Sequence, residues 1–249
     1  MNKVAAVVLA AGKGKRMKSD LPKVLHPIFG RPMIEVLLDT LISLKINKIV
    51  AVIGFKADEV KKALKDYQGK ISYAIQAEQL GTGHAVLMAE SELKGFVGDI
   101  LVVAGDVPFL SSETIARLID THRKEQAAGT VLSSVPPDPT GYGRIIRKDG
   151  TSLVDYIIEH KDASEEQRRV REINTGTFCF DSRHLFDALR EIRADNSQKE
   201  YYLTDVMAIL HRKGLKAAVY KTDNPDEALG INSVDQMAEL EVRFAKKSR

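Results

Sequence analysis

The sequence predicts an α/β fold on a mixed, mostly parallel sheet. Two observations lead there. Apolar runs of strand length alternate with helix-period segments through the first half of the chain, which implies right-handed crossovers between parallel strands. The first of these runs opens directly into a loop of glycines and cations, at the carboxyl end of a strand, where ligands bind in such sheets. The 249 residues suit one large α/β domain or two small ones, and no linker is long enough to force two independent units.

Each element has its own warrant. Val4 to Leu9 is an apolar run that reads as a buried first strand. Pro32 suits a first helical turn, followed by Ile34, Leu37, Leu38, Leu41 and Ile42 on one face. Ile49 to Ile53 is a second strand ended by Gly54, and Ala57 to Leu64 a short amphipathic helix. Ile71 to Ile75 is a third strand, with a polar segment and then a helix beginning near His84. Ile100 to Val103 is a fourth, closing on Gly105-Asp106, after which Ser111 or Ser112 caps a helix to about Glu125 with Glu113 in its first turn.

The second half is less regular. Thr130 to Val135, Gly143 to Arg147, Leu153 to Glu159 and Asn174 to Phe180 read as short strands. Helices are expected over Ser182 to about Arg193 and Tyr202 to Lys213, a strand over Ala217 to Tyr220, and a last helix capped by Ser233 with Glu239, Glu241, Lys246 and Lys247 facing solvent.

Composition removes several function classes. A hydrophobic content of 44% and a charged content of 29% are ordinary for a globular protein, and a net charge of +3 is too small to argue for nucleic acid. A single cysteine, Cys179, excludes an internal disulfide, and its apolar neighbours Phe178 and Phe180 make it a buried strand thiol. The six histidines lack zinc spacing. The N-terminus lacks the apolar core of a signal peptide, and no run approaches the roughly 20 apolar residues of a membrane span. A soluble protein of a reducing compartment is expected.

The opening loop carries the first chemistry. Gly12 and Gly14 let backbone N–H groups approach an anion, and Lys13, Lys15, Arg16, Lys18 and Lys23 bring the charge a polyphosphate requires. Met17 stands where the dinucleotide fingerprint needs a third glycine, and the P-loop spacing is absent. The loop therefore fits a nucleoside-triphosphate cradle. By itself it fits equally a surface turn with solvated lysines. Asp106, just past a strand, suits a divalent cation bridging phosphates, or else a turn or helix cap. Gln76 to Gly83 offers amides, a hydroxyl and backbone that read a base edge, or else a loop capping the next helix. Asp138 to Arg144, Glu159 to Lys161 and Asn174 to Gly176 each fit a turn or strand end as well as a site.

Their order and mixture resemble a known family. Leu9-Ala10-Ala11-Gly12 through Arg16, with Leu21-Pro22-Lys23, resembles the signature of sugar-nucleotide pyrophosphorylases. Gln76 to Ala85 (QAEQLGTGHA), Gly105 to Pro108, Asp138 to Ile145 (DPTGYGRI), Glu159 to Ala163 (EHKDA), Ile173 to Gly176, Glu200 to Asp205 (EYYLTD) and Gly230-Ile231-Asn232 resemble one branch. That branch is the uridyltransferase half of the bifunctional N-acetylglucosamine-1-phosphate uridyltransferases/glucosamine-1-phosphate acetyltransferases. The resemblance runs from Lys3 to about Asn232. It implies a Rossmann-like three-layer nucleotidyltransferase fold over 1–232 with a smaller sugar-binding β-rich lobe, then a helix over 233–249.

The implied reaction is magnesium-dependent transfer of UMP from UTP to N-acetylglucosamine 1-phosphate, giving UDP-N-acetylglucosamine and pyrophosphate. By the same resemblance, the backbone of Leu9, Ala10, Ala11 and Gly12 holds nucleotide, and Arg16 and Lys23 meet phosphate oxygens as the catalytic cations. Gln76, Gly81 and Thr82 read uracil, with Ala104 and Gly105 making backbone contacts. Asp106 and Asn232 hold Mg2+ at the α-phosphate. Gly141, Glu159 and Asn174 bind the acetamido sugar, with Tyr202 and Thr204 as wall. A cytoplasmic enzyme of cell-wall precursor synthesis is implied, a monomer or weak homo-oligomer with no nucleic-acid or membrane partner.

Two departures limit what carries over. Ala104 stands where many relatives have tyrosine, so a backbone contact survives there and a ring contact does not. No hexapeptide repeat is present, so acetyltransferase activity is not implied. The competing readings are a pyrophosphorylase for another sugar or nucleotide, and a non-catalytic UDP-sugar-binding module. The second would be expected to have lost Lys23, Asp106 or Asn232, and all three are present.

Overall fold

A computed structural model describes residues 3–148, 151 and 153–247 of the chain. The side chains of Lys15, Lys246 and Lys247 lie outside that description. The first half runs β1 (Val4–Ala10), β2 (Pro27–Ile28), β3 (Arg31–Pro32), α1 (Met33–Ser43), β4 (Lys48–Ile53), α2 (Ala57–Ala63), β5 (Ser72–Ile75), α3 (Thr82–Met88), β6 (Asp99–Ala104) and α4 (Ser112–Lys124). The second runs β7 (Gly129–Ser134), β8 (Arg144–Arg147), β9 (Val154–Ile158), α5 (Glu165–Arg168), β10 (Ile173–Asp181), α6 (Ser182–Arg190), α7 (Asp205–Arg212), β11 (Ala217–Lys221) and α8 (Val234–Lys247).

The main sheet follows the order β11-β7-β10-β6-β1-β4-β5. β1 pairs in parallel with β4 and β6, β4 with β5, and β7 with β11. β10 alone on that path runs the other way, antiparallel to both β6 and β7. The carboxyl ends of the parallel strands therefore share one edge with the start of β10. The predicted mostly parallel, mixed sheet is what forms. β8 and β9 make the smaller β-rich lobe, joined to the sheet where Ile173 of β10 faces Arg144 of β8.

Three layers follow from strand alternation. On β1, Ala5 and Val7 face a core shared with α3, α6 and α7, while Ala6 and Val8 face the core under α1, α2 and α4. Both faces being covered explains why β1, β4 and β6 read as unbroken apolar runs. α4 is capped as expected, Ser111 Oγ accepting from Thr114 N at 3.1 Å. α8 docks through Leu240 onto Ile28, Met33 and Ile231, and Phe244 stacks on Phe109 at 3.8 Å.

Several boundaries differ for identifiable reasons. Pro32 lies in the small β2–β3 hairpin and is the N-cap of α1 rather than part of its first turn. α7 starts at Asp205 rather than Tyr202 because 201–203 is engaged with the loop before α3: Tyr201 N donates to Leu80 O (2.8 Å), Gly83 N to Tyr201 O (2.7 Å) and Leu203 N to Thr82 Oγ1 (3.0 Å). α6 ends at Arg190, short of Arg193. α5 is an unforeseen turn of helix closed by a capping box between Ser164 and Gln167. Among the described residues no helix is long and apolar enough to cross a membrane.

Candidate active site

The polar segments that follow β1, β5 and β6 meet at the carboxyl edge of the sheet. β1 leads into Ala11, whose carbonyl accepts from Phe55 N just past β4 (3.0 Å), and Leu9 O accepts from Gly105 N just past β6 (2.9 Å). Three strand ends are thus stitched together by backbone. Gly14 sits at φ +70°, and a Cβ there would lie 2.6 Å from Lys23 Cβ and 2.9 Å from its Cγ. The glycine lets the loop close over the Lys23 stem. Buried Met17, Val24 and Leu25 anchor the same loop from beneath.

Lys23 Nζ reaches the Asp106 carboxylate and donates to Asn232 Oδ1 at 2.7 Å, 209 positions away in sequence. Arg16 Nη2 donates to the same amide oxygen at 2.7 Å. The Asn232 amide is held in turn, Nδ2 donating to Gly230 O at 3.0 Å, and its backbone N–H donates to Gln236 Oε1 at 2.9 Å. A cavity of about 350 Å³ opens here, lined by Leu9, Ala10 and Gly12 on one side and by Thr82, Ala104 and Val24 among its other walls. Carboxylate and amide oxygens converging on one ammonium are a donor set that also suits a hard divalent cation.

Around the cavity the sequence segments take distinct places. Gln76 is 3% exposed, and its Nε2 donates to Gly81 O at 3.0 Å and lies 3.1 Å from His84 Nδ1. A carbonyl can only accept, so the amide nitrogen is fixed on Gly81 and the Gln76 carbonyl oxygen points elsewhere. Gly81 has φ +116°, and a Cβ would lie 2.6 Å from Tyr201 O. Thr82 lines the cavity while its hydroxyl accepts from Leu203 N, linking the first half of the chain to Tyr202 and Thr204.

The second half supplies a separate cluster. Thr204 Oγ1 donates to Glu159 Oε1 at 3.2 Å, and a Cβ on Gly143 would be 3.3 Å from the same oxygen. Asn174 N donates to Gly143 O at 2.9 Å, and its Oδ1 accepts from Gly176 N at 2.8 Å. Gly141 is in the turn just before, at φ +84°. Burial pushes the Glu159 carboxyl above the usual range, opposed by the Thr204 hydroxyl and reinforced by Asp205, Asp162 and Glu200. Burial likewise raises Asp205, to about 6. Tyr202 is buried, with its hydroxyl accepting from Gln198 Nε2 at 2.8 Å.

The cations of the opening loop separate. Lys13 Nζ lies 5.1 Å from the centre of the Phe55 ring, and Lys18 is exposed with φ 49°, whereas Arg16 and Lys23 meet at Asn232. Three residues take roles that the sequence did not assign them. Gly14 shapes Lys23, His84 orients Gln76, and Arg144, 2% exposed, donates to the carbonyls of Tyr142 and Arg168 and so braces the turn holding Gly141. His84 and Arg144 lie inside recognisable blocks, so the signal was present. A larger cavity of about 730 Å³ between α6 and α7 shares no lining residue with the first; of the predicted site residues it touches only Glu159 and Tyr202.

Comparison with known proteins gives a consistent picture. Residues 6–208 match the model of the MobA-like NTP transferase domain. The chain is 51% identical over 236 residues to the bifunctional protein GlmU of Halalkalibacterium halodurans, covering 95% of this chain and 51% of that protein. It is 48% identical over 247 residues to the bifunctional protein GlmU of Bacillus subtilis, covering 99% and 53%. The chain thus spans about half the length of these relatives. A UDP-glucose pyrophosphorylase solved with UDP-glucose superposes with a TM-score of 0.77 at 20% identity, covering 99% of this chain and 100% of that one, which shows a shared fold.

Proposed function

On the premise that the chain belongs to the MobA-like NTP transferase family and is a nucleotidyltransferase, we propose that it transfers UMP from UTP to N-acetyl-α-D-glucosamine 1-phosphate, releasing pyrophosphate. The observation that carries this reading is the meeting of Arg16, Lys23, Asp106 and Asn232 at one wall of the cavity beneath the Leu9–Gly12 backbone. Roughly half identity to two GlmU proteins supports the choice of nucleotide and sugar.

The chemistry asks little of a nucleophile. The sugar phosphate is ionised at neutral pH. One of its oxygens attacks the α-phosphorus of UTP in line, the bond from that phosphorus to the bridging oxygen breaks, and pyrophosphate departs with the electron pair. The difficulty is bringing two anions together and stabilising charge as it moves. Arg16 and Lys23 face that charge as fixed donors. Asp106 and Asn232 would hold a divalent cation, magnesium, which when bound screens the triphosphate and polarises the α-phosphate. The Gln76 oxygen, turned away from Gly81, is free to accept the N3–H of uracil, a donor that cytosine lacks at that position. Glu159, Asn174 and the Gly141 turn form the sugar side, where a half-buried carboxyl acceptor suits sugar hydroxyls.

The test is magnesium-dependent pyrophosphate release from UTP with N-acetylglucosamine 1-phosphate, run beside dTTP, CTP, glucose 1-phosphate and glucosamine 1-phosphate. Turnover confined to UTP and the acetylated sugar supports the assignment. Turnover with glucose 1-phosphate and none with the acetylated sugar overturns it.

A further inference from the structure

Glu227 is 4% exposed and lies just before the Gly230-Ile231-Asn232 segment. Its Oε1 accepts from Thr114 Oγ1 at 2.6 Å and from Thr222 Oγ1 at 2.9 Å, and its Oε2 accepts from Ser111 N at 3.3 Å. Thr114 and Thr222 are themselves buried, at 6% and 5% exposure. The carboxylate therefore sits on the N-terminal turn of α4, a favourable place for negative charge, and reaches it from the segment that precedes Asn232.

A second link closes a ring. Ile231 N donates to Asp106 O at 2.9 Å, so residues 106–114 and 227–231 are tied at both ends. Between the ties, Val107, Leu110, Ala228 and Ile231 are buried and leave no slack. The ring presents Asp106 from one segment and, one residue past the other, Asn232. β6 and β11 lie apart in the sheet, so these two side chains become neighbours through contacts between the segments that follow the strands, and this ring joins those segments directly.

We propose that Glu227 is the positioning residue of the cation site, setting the spacing between the Asp106 and Asn232 oxygens by locking the segment before Asn232 to the start of α4. This rests on the reading of those two residues as the metal's protein ligands. Losing a charge-assisted hydrogen bond at such a lock loosens one ligand against the other, so metal affinity falls, while the backbone of the nucleotide loop keeps its own supports on β1, β4 and β6.

The test measures Mn2+ binding by electron paramagnetic resonance in the presence of UTP, for wild type, Glu227→Gln and Thr222→Val. UTP affinity in EDTA and the magnesium dependence of turnover are read alongside. The expected result is a Mn2+ Kd about tenfold weaker in Glu227→Gln, a smaller weakening in Thr222→Val, unchanged UTP binding in EDTA, and turnover largely restored by excess magnesium. If Glu227→Gln does not fold, Thr222→Val carries the test alone. A lowered Tm with an unchanged Mn2+ Kd makes Glu227 a stability element only and overturns the proposal. Wild type that binds no Mn2+ with UTP sinks the metal reading itself, a separate failure.

Discussion

Gly14→Ala tests the loop geometry most sharply. The new methyl would sit 2.6 Å from Lys23 Cβ and 2.9 Å from Cγ, in a backbone conformation of φ +70°. Left-handed backbone costs a non-glycine residue about 1–2 kcal/mol, and overpacking against a stem that cannot swing aside costs about 1–3 kcal/mol more. The sum, about 2–5 kcal/mol, corresponds to a Tm lowered by roughly 5–15 °C in a chain of this length. Part of the strain is relieved by moving Lys23, and displacing a charge-stabilising group by a fraction of an ångström lowers turnover by about 10- to 100-fold. Gly12→Ala is the contrast. Its Cβ meets nothing within 4 Å and projects where Gly12 lines the cavity, so Tm should hold while KM for UTP rises. Thermal unfolding and pyrophosphate release, measured on both variants, decide the matter. A Gly14→Ala protein with wild-type Tm and turnover would refute the close packing of loop and lysine.

Other outcomes follow from single contacts. Lys23→Met should lower kcat by about 10²–10³-fold with a much smaller change in KM, in steady-state kinetics at saturating magnesium. The same variant should bind Mn2+ more tightly than wild type without nucleotide, since the ammonium no longer competes for Asp106 and Asn232. Gln76→Leu should lower the kcat/KM preference for UTP over CTP by about tenfold or more, read in parallel assays. Asp205, its pKa raised to about 6 by burial, binds more protons folded than unfolded between about pH 4 and 6. Its contribution is therefore unfavourable above pH 6, fading as pH falls through that window. Asp205→Asn should raise Tm at pH 8 and gain less at pH 4; equal gains at both would show an unshifted carboxyl.

The first half of the fold was legible because each strand there is an apolar run and each helix has one apolar face, as in Val4–Ala10 and Met33–Ser43. What escaped were elements set by a few local bonds. The two-residue strands at Pro27 and Arg31 carry no periodicity, and the α5 turn announces itself only as Ser164 and Gln167 three apart. The reversal of β10 leaves no mark in its own residues, which suit either direction. For the site, the glycine-cation loop and Asp106 were visible as chemistry but each had a bland alternative. Asn232 gained meaning only from resemblance, and the fold then set its oxygen on Lys23. Glu227 acts through a hydrogen bond to a residue 113 positions away, and Gly14 through the fit of its loop on the Lys23 stem, and spacing along the chain reveals neither contact.

The proposed reaction joins UMP to an acetylated sugar phosphate in this cavity. Purified chain, UTP and N-acetylglucosamine 1-phosphate should give UDP-N-acetylglucosamine and pyrophosphate in equal amounts, with magnesium required, and Asp106→Ala should abolish both. Nucleotide-sugar formation that persists without a divalent cation, or in Asp106→Ala, would contradict the account; so would the absence of product from the wild-type chain.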